Sequence, residues 1–343
     1  MRRSWQALPI KIRNPIGHEP ANIGDRSMGM DERIKGIYGA DTQISRAVPV
    51  SGGDINEASC LELSNGEKLF IKRNRPELLS IFEAEKHGLQ AMAATGAIRV
   101  PEVIDCGMSD GRAYLLMKYI AGGRRKSSFW EDFGHRLADM HSADTSGLID
   151  GRFRAAADAS APAVKAEPSG SLPAVGKRFG FVSDNFIGAR PQDNTACDSW
   201  VDFFRDRRLM PQLRAADRYF DAAMRRRIDA LMAGLDDLLV EPKAPALIHG
   251  DLWSGNFITG DDGDAWLIDP AVYVGHPEAD IAMTELFGGF DRRFYDAYKE
   301  SGLLQPGYEK RRDLYNLYHM LNHLNMFGPG YYPSVEAIVR RYV

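Results

Sequence analysis

Three residues in the C-terminal half have the types and spacing to act together. Asp251 and Asn256 stand five apart in Ile248-His249-Gly250-Asp251-Leu252-Trp253-Ser254-Gly255-Asn256, and Asp269 follows thirteen residues later at the end of Leu267-Ile268-Asp269. Transfer of a phosphoryl group needs this set. One carboxylate takes the proton of an acceptor hydroxyl, while an amide oxygen and a second carboxylate hold magnesium against the phosphates. The Asp-to-Asn spacing is that of a kinase catalytic loop. Asn256-Phe257-Ile258-Thr259 and Ala265-Trp266-Leu267-Ile268 read as two short strands about the turn Asp261-Asp262-Gly263-Asp264, which is ordinary turn chemistry. Such a hairpin would return Asp269 to Asn256, so that both reach one metal.

The N-terminal half supplies what would hold the nucleotide. Ser51-Gly52-Gly53 lies between strand-like runs, a tight turn whose backbone N–H groups could face phosphates. Ser59–Leu63 and Lys68–Lys72 alternate around Asn65-Gly66, a strong hairpin signal. Lys72 ends the second strand, and a helical stretch from Leu78 to Ala94 carries Glu83 and Glu85. A strand lysine oriented by a helix glutamate is how kinase small lobes grip phosphates. Glu85 is the better partner because Leu89 and Met92 share its helical spacing, with Glu83 as the alternative. Arg99–Ile104 and Ala113–Ile120 complete an antiparallel sheet, and the second runs into Ala121-Gly122-Gly123. A hinge belongs there, with the backbone of Met117, Lys118 and Tyr119 against adenine.

The remainder is read as helical. Phe129 to His141 has a helix pattern, with His141 structural. Residues 149–176 are rich in Ala, Pro and Ser, a surface loop or insertion. Gln192 and Asn194 are either polar contacts for a hydroxylated substrate or simply loop amides; Trp200, Phe203 and Phe204 read as core. Asp280 opens an apolar helix, where a carboxylate can cap backbone N–H groups, and is expected to tie down the catalytic loop. The expected fold is therefore α+β in two lobes. Residues 1–30 are an extension, 31–118 a small antiparallel-sheet lobe for nucleotide, and 119–343 a larger, mostly helical lobe.

Composition narrows the classes. With 43 Lys and Arg against 47 Asp and Glu, the net charge of −4 offers no general attraction to nucleic acid or anionic membrane. No apolar run approaches the roughly 20 residues of a membrane span. Three cysteines without paired spacing fit a reducing cytosol rather than a disulfide framework or a zinc site.

The chain resembles the fructosamine kinase (ketosamine-3-kinase) family, within the aminoglycoside phosphotransferase-like kinases of protein-kinase-like fold. The resemblance covers about residues 47–332. It is carried by His-Gly-Asp-Leu-Trp-Ser-Gly-Asn at 249–256, Leu-Ile-Asp-Pro-Ala at 267–271 and Gly-His-Pro-Glu-Ala-Asp-Ile-Ala-Met at 275–283. Leu-Phe-Gly-Gly-Phe at 286–290, Leu-Asn-His-Leu-Asn-Met-Phe-Gly at 321–328 and Asp-Asn-Phe-Ile-Gly at 184–188 add to it. The chain has neither Asp-Phe-Gly after the metal site nor Ala-Pro-Glu beyond it, which argues for a small-molecule kinase rather than a protein kinase. The resemblance implies phosphorylation by ATP, with magnesium, of the sugar 3-hydroxyl of a fructosamine or ribulosamine, leading to deglycation. Asp251 would be the base, Asn256 and Asp269 the metal ligands, and Trp253 either an apolar face for the sugar or amine or a packing residue under the loop. The rivals are an aminoglycoside, choline or sugar phosphotransferase of the same fold, or a silent nucleotide-binding member. Some members carry a cysteine in the glycine turn that links a dimer; here Asp54 stands there, so a monomer or weak homodimer without that disulfide is expected.

Overall fold

The computed structural model describes residues 28–50, 56–152 and 178–343. The expected glycine turn, Ser51, Gly52 and Gly53 with Asp54, lies outside the described residues, as does most of the 150–176 insertion.

Five strands, β1 (Ile44–Pro49), β2 (Glu57–Leu63), β3 (Lys68–Asn74), β4 (Val103–Ser109) and β5 (Arg112–Lys118), form one sheet in the order β1-β2-β3-β5-β4. Every neighbouring pair is antiparallel. Side chains alternate across the strands. Leu69 and Ile71 of β3 join Leu61, Leu63, Tyr114 and Leu116 on one face, closed by Met30 and Ile34 of helix α1 (Met30–Tyr38). Lys72 is buried at the next position of β3, on the opposite face. Helix α2 (Leu79–Ala94) carries Phe82, Leu89 and Met92 into the main core with Leu115 and Met117 of β5. Hydrophobic burial thus fixes both faces of the sheet, and the lysine emerges where the second helix passes.

Most of the rest is helical, including α3 (Phe129–His141) and the long helix Tyr308–Phe327. Three small two-stranded pairings interrupt it among the described residues, one of them Asn185–Ile187 with Arg190–Gln192. Ala246–Ile248 pairs antiparallel with Tyr273–Gly275, and Phe257–Thr259 pairs with Ala265–Leu267. The last is the hairpin expected from the sequence, one residue shorter at the outer ends. Among the described residues no helix is long and apolar enough to cross a membrane.

Candidate active site

Two of these pairings place the catalytic stretch. Leu267 stands opposite Phe257, and Ile268 N–H donates to the Asn256 carbonyl at 3.0 Å, so Asp269 emerges beside Asn256. Ala271 N–H donates to the His249 carbonyl at 2.9 Å, closing the loop from the other side. Gly250 has a φ of +79°, and a Cβ there would collide with the Ala271 carbonyl, so only glycine passes. Beneath the loop, the Asp280 carboxylate accepts from His249 N–H at 2.7 Å and Gly250 N–H at 2.9 Å. His141 Nε2 lies 3.1 Å from the same carboxylate, and its Nδ1 lies 2.7 Å from the Tyr298 hydroxyl. Burial works against the Asp280 charge, but the hydrogen bond and charge of His141 with the loop N–H groups hold its carboxyl below the ordinary range. Asp280 does not cap its own helix, Pro277–Leu286; the His276 ring does so by accepting Glu278 N–H at 3.2 Å.

Lys72 is in contact with two carboxylates, Glu85 Oε1 at 2.6 Å and Asp269 Oδ1. Burial opposes its charge, but Glu85 and then Asp269 keep Lys72 firmly protonated. Burial likewise opposes ionisation of Asp269, and the Lys72 charge and hydrogen bond reverse that, leaving its carboxyl below the ordinary range. Glu83 is exposed on α2, so Glu85 alone reaches the lysine. The approach depends on Gly88, one turn further along α2. A Cβ there would meet Pro270 Cγ at 3.1 Å and Val272 Cγ2 at 3.4 Å, so the helix backbone can lean on the segment that follows Asp269.

Asp251 sits in a recess with about 24% of its side chain exposed. Asn256 Nδ2 donates to the Asp251 carbonyl at 2.8 Å and to its Oδ2 at 3.0 Å, which orients the Asn256 amide oxygen away from the carboxylate. Burial pushes the Asp251 carboxyl up to about 7, with Asp269 and Asp280 adding to the rise and the Asn256 hydrogen bond opposing it. A carboxylate titrating near neutral pH suits general-base work. Asn256 and Asp269 offer two hard oxygen donors side by side, the donor type and number that magnesium takes from a protein when phosphates fill its remaining positions.

Other expected residues are placed differently. Gln192 is buried. Its Nε2 donates to Asn185 Oδ1 and the Ala271 carbonyl at 2.7 and 3.1 Å, and its Oε1 accepts from the Tyr318 hydroxyl at 2.6 Å. Asn194 is buried between the Ser183 carbonyl and the Arg208 guanidinium. Both amides are engaged inside the fold, Gln192 at the end of the short strand Arg190–Gln192 and Asn194 just beyond it, so their hydrogen-bonding groups are taken up by the protein itself. Lys118 and Tyr119 donate their N–H groups to the carbonyls of Glu102 and Lys68, and Met117 lies within the β3–β5 pairing. Those two donors are not free for adenine, because the strand end is still paired there, ahead of the hinge expected at Ala121-Gly122-Gly123.

Trp253 is 38% exposed and meets Phe287 edge-on with centroids 6.1 Å apart. The contact continues through His323 to Phe327 and Tyr331. Phe287 and Phe327 are 44% and 55% exposed, an unusual cost for large apolar rings beside a catalytic loop. Sequence reasoning missed this strip, although both phenylalanines stand next to glycines, Gly288 and Gly328, that end helices.

A sequence model of the fructosamine kinase family matches residues 28–151 and 174–343. The chain belongs to this family. It is 38% identical over 315 residues to a probable ketoamine kinase of Synechocystis, covering 90% of this chain and 94% of that one. It is also 38% identical over 348 residues to the chloroplastic protein-ribulosamine 3-kinase of Arabidopsis thaliana, covering 99% and 96%. A crystal structure titled "putative fructosamine-3-kinase" from Thermobifida fusca superposes with a TM-score of 0.73 at 29% identity, over 91% of this chain and 97% of that one. An aminoglycoside phosphotransferase, APH(4)-Ia, superposes with a TM-score of 0.54 at 17% identity, over 91% and 98%. The fructosamine kinase fold is accordingly the two-lobed, protein-kinase-like one.

Proposed function

We propose that the chain transfers the γ-phosphoryl group of ATP to the sugar 3-hydroxyl of a ketoamine, a fructosamine or ribulosamine, so that the amine is later released from its sugar. Asp251 accepts the hydroxyl proton as the oxygen attacks phosphorus. Lys72, oriented by Glu85, pairs with the α- and β-phosphates. Asn256 and Asp269 hold magnesium, which when bound neutralises charge on the phosphates. Trp253 and Phe287 offer aromatic faces to the sugar and its ammonium, a contact that cation–π attraction favours.

One observation carries this reading. Five polar groups, Lys72 from β3, Glu85 from α2, and Asp251, Asn256 and Asp269 from the catalytic stretch, gather in two linked sets that suit phosphoryl-transfer roles, within a family of ketoamine kinases. The exposed side chains beside the catalytic loop include the aromatic rings of Trp253 and Phe287, which suit a sugar ring and its attached amine. The three free cysteines suit a reducing, cytosolic compartment, where the chain would act as a monomer or weak homodimer.

The test is ADP release with magnesium and ATP against fructosyl-lysine, ribulosyl-lysine, kanamycin, choline and no acceptor. Turnover on a ketoamine, with phosphate found on the sugar 3-oxygen, is the expected result. Turnover only on kanamycin or choline would overturn the acceptor while leaving the site roles standing.

A further inference from the structure

The helical lobe buries four histidines around the catalytic stretch, and three have clear partners. His141 meets Tyr298 and Asp280, His249 meets the Ile268 carbonyl, and His276 meets Glu278 N–H and Gln305. His319 is the exception. It is 5% exposed, yet its Nδ1 has no hydrogen-bond partner among the described residues. A buried polar atom left alone costs free energy that folds ordinarily avoid, and the exceptions concentrate where function needs them.

The position of that nitrogen is informative. Asp251 Oδ1 lies 3.9 Å from His319 Nδ1, about 1 Å beyond a hydrogen bond. The other carboxylate oxygen, Oδ2, is already held by Asn256 Nδ2 at 3.0 Å. The ring is fixed from its own helix. The next residue back, Tyr318, is anchored to Gln192, and His323 Nδ1 lies 2.8 Å from the His319 carbonyl one turn on. The imidazole thus projects from a held stretch of helix and faces the one oxygen of the base that Asn256 leaves free. Hydrogen bonds of catalytic groups are commonly long before substrate binds and tighten in the reacting complex.

We propose that His319 is a positioning residue for the base: its Nδ1–H closes on Asp251 Oδ1 and, with Asn256 on Oδ2, fixes the carboxylate toward the acceptor hydroxyl. The imidazole acts as a neutral donor. Burial, with His323 adding to it, pushes the His319 pKa down to about 3, so it neither competes for the acceptor proton nor needs charge to do its work. This rests on Asp251 being the base, and the experiment separates the two claims.

The experiment compares His319→Leu, His319→Asn and His319→Gln with Asp251→Asn and the double variant Asp251→Asn/His319→Leu, on whichever ketoamine the wild-type enzyme turns over. Asparagine places an N–H donor near the Nδ1 position and glutamine near Nε2. The expected result is a kcat lowered on the order of 10- to 100-fold in His319→Leu, the range for loss of one aligned catalytic contact. KM for ATP and for acceptor would stay within about twofold, and His319→Asn would recover most of the rate. The double variant would be no slower than Asp251→Asn alone, because a residue acting only through the base has nothing left to do. If His319→Leu does not fold, asparagine outperforming glutamine carries the same information. The proposal is overturned by unchanged kcat in His319→Leu, by equal losses in the asparagine and glutamine variants, by a loss confined to acceptor KM, or by additive losses in the double variant. Full activity in Asp251→Asn would overturn the base assignment and this proposal with it.

Discussion

The two sides of the cleft are built on different principles. On the nucleotide side, Lys72, Glu85 and Asp269 touch one another, and Asp251 and Asn256 are tied by two hydrogen bonds. On the side proposed for the acceptor, Trp253, Phe287 and Phe327 stand partly in solvent, Trp253 edge-on to Phe287 and Phe327 joined to it through the His323 ring. A phosphate grip works through charge, which demands few residues at fixed places and little tolerance. An acceptor wall works through apolar area, which many arrangements supply. The contrast implies that changes on the first side should stop the reaction, and changes on the second should alter what it acts on.

The largest test is Asp251→Asn. It should lower kcat by about 10³-fold or more while ATP binding, followed by nucleotide-analogue fluorescence, holds; retained turnover would dissolve the contrast at its centre. Next, Glu85→Gln should cost on the order of 10²-fold in kcat/KM, whereas the exposed Glu83→Gln should cost nothing measurable. Equal effects at the two positions would mean that the Lys72–Glu85 contact is incidental. Chelation of magnesium should abolish turnover, and Asn256→Ala should raise the magnesium concentration for half-maximal rate, checked by metal titration. On the other side, Trp253→Ala and Phe287→Ala should raise acceptor KM by about 10-fold, equivalent to about 1.4 kcal/mol, with KM for ATP unmoved. A fall in kcat alone would place those rings with the catalytic groups instead.

The smallest effect concerns stability, away from both walls. Burial, with Arg311 and His141 adding to it, holds His276 at about 3, far below its ordinary 6.5. Between those values the unfolded chain binds a proton that the folded chain refuses, so stability falls as pH drops from about 6.5. The loss is about 1 kcal/mol per pH unit. His319, held equally low, contributes a like fall, so His276→Asn, which keeps a capping side chain, should lessen the fall between pH 6.5 and 5 in urea titrations without abolishing it. An unchanged slope would assign the acid sensitivity elsewhere.

The nucleotide side was legible in sequence because its residues sit at positions that local periodicity defines. Lys72 follows Ile71 on the opposite face of a strand, and Glu85 shares a helix stripe with Leu89 and Met92. Asp269 closes a hairpin whose turn chemistry is local. What was not legible depends on partners far along the chain. A glutamine in sequence looks the same whether it meets a substrate or a tyrosine 126 positions away, and Tyr318 takes up the Gln192 amide oxygen. Asn194 is taken up likewise by Arg208, buried against the Tyr273 ring. The paired N–H groups of Lys118 and Tyr119 depend on Glu102 and Lys68, beyond any local pattern. The aromatic strip joins residues 253, 287 and 327, with no spacing to announce it.

One carboxylate beneath the catalytic loop has a thermal consequence. Asp280 holds His249 and Gly250 by their backbone and is held by His141. The loop cannot loosen unless a buried charge loses its partners, so no low-energy excursion separates it from the core. Heat should then leave the enzyme working until the lobe itself melts. The temperature at which turnover fails and the temperature at which the core cooperatively unfolds should be one and the same.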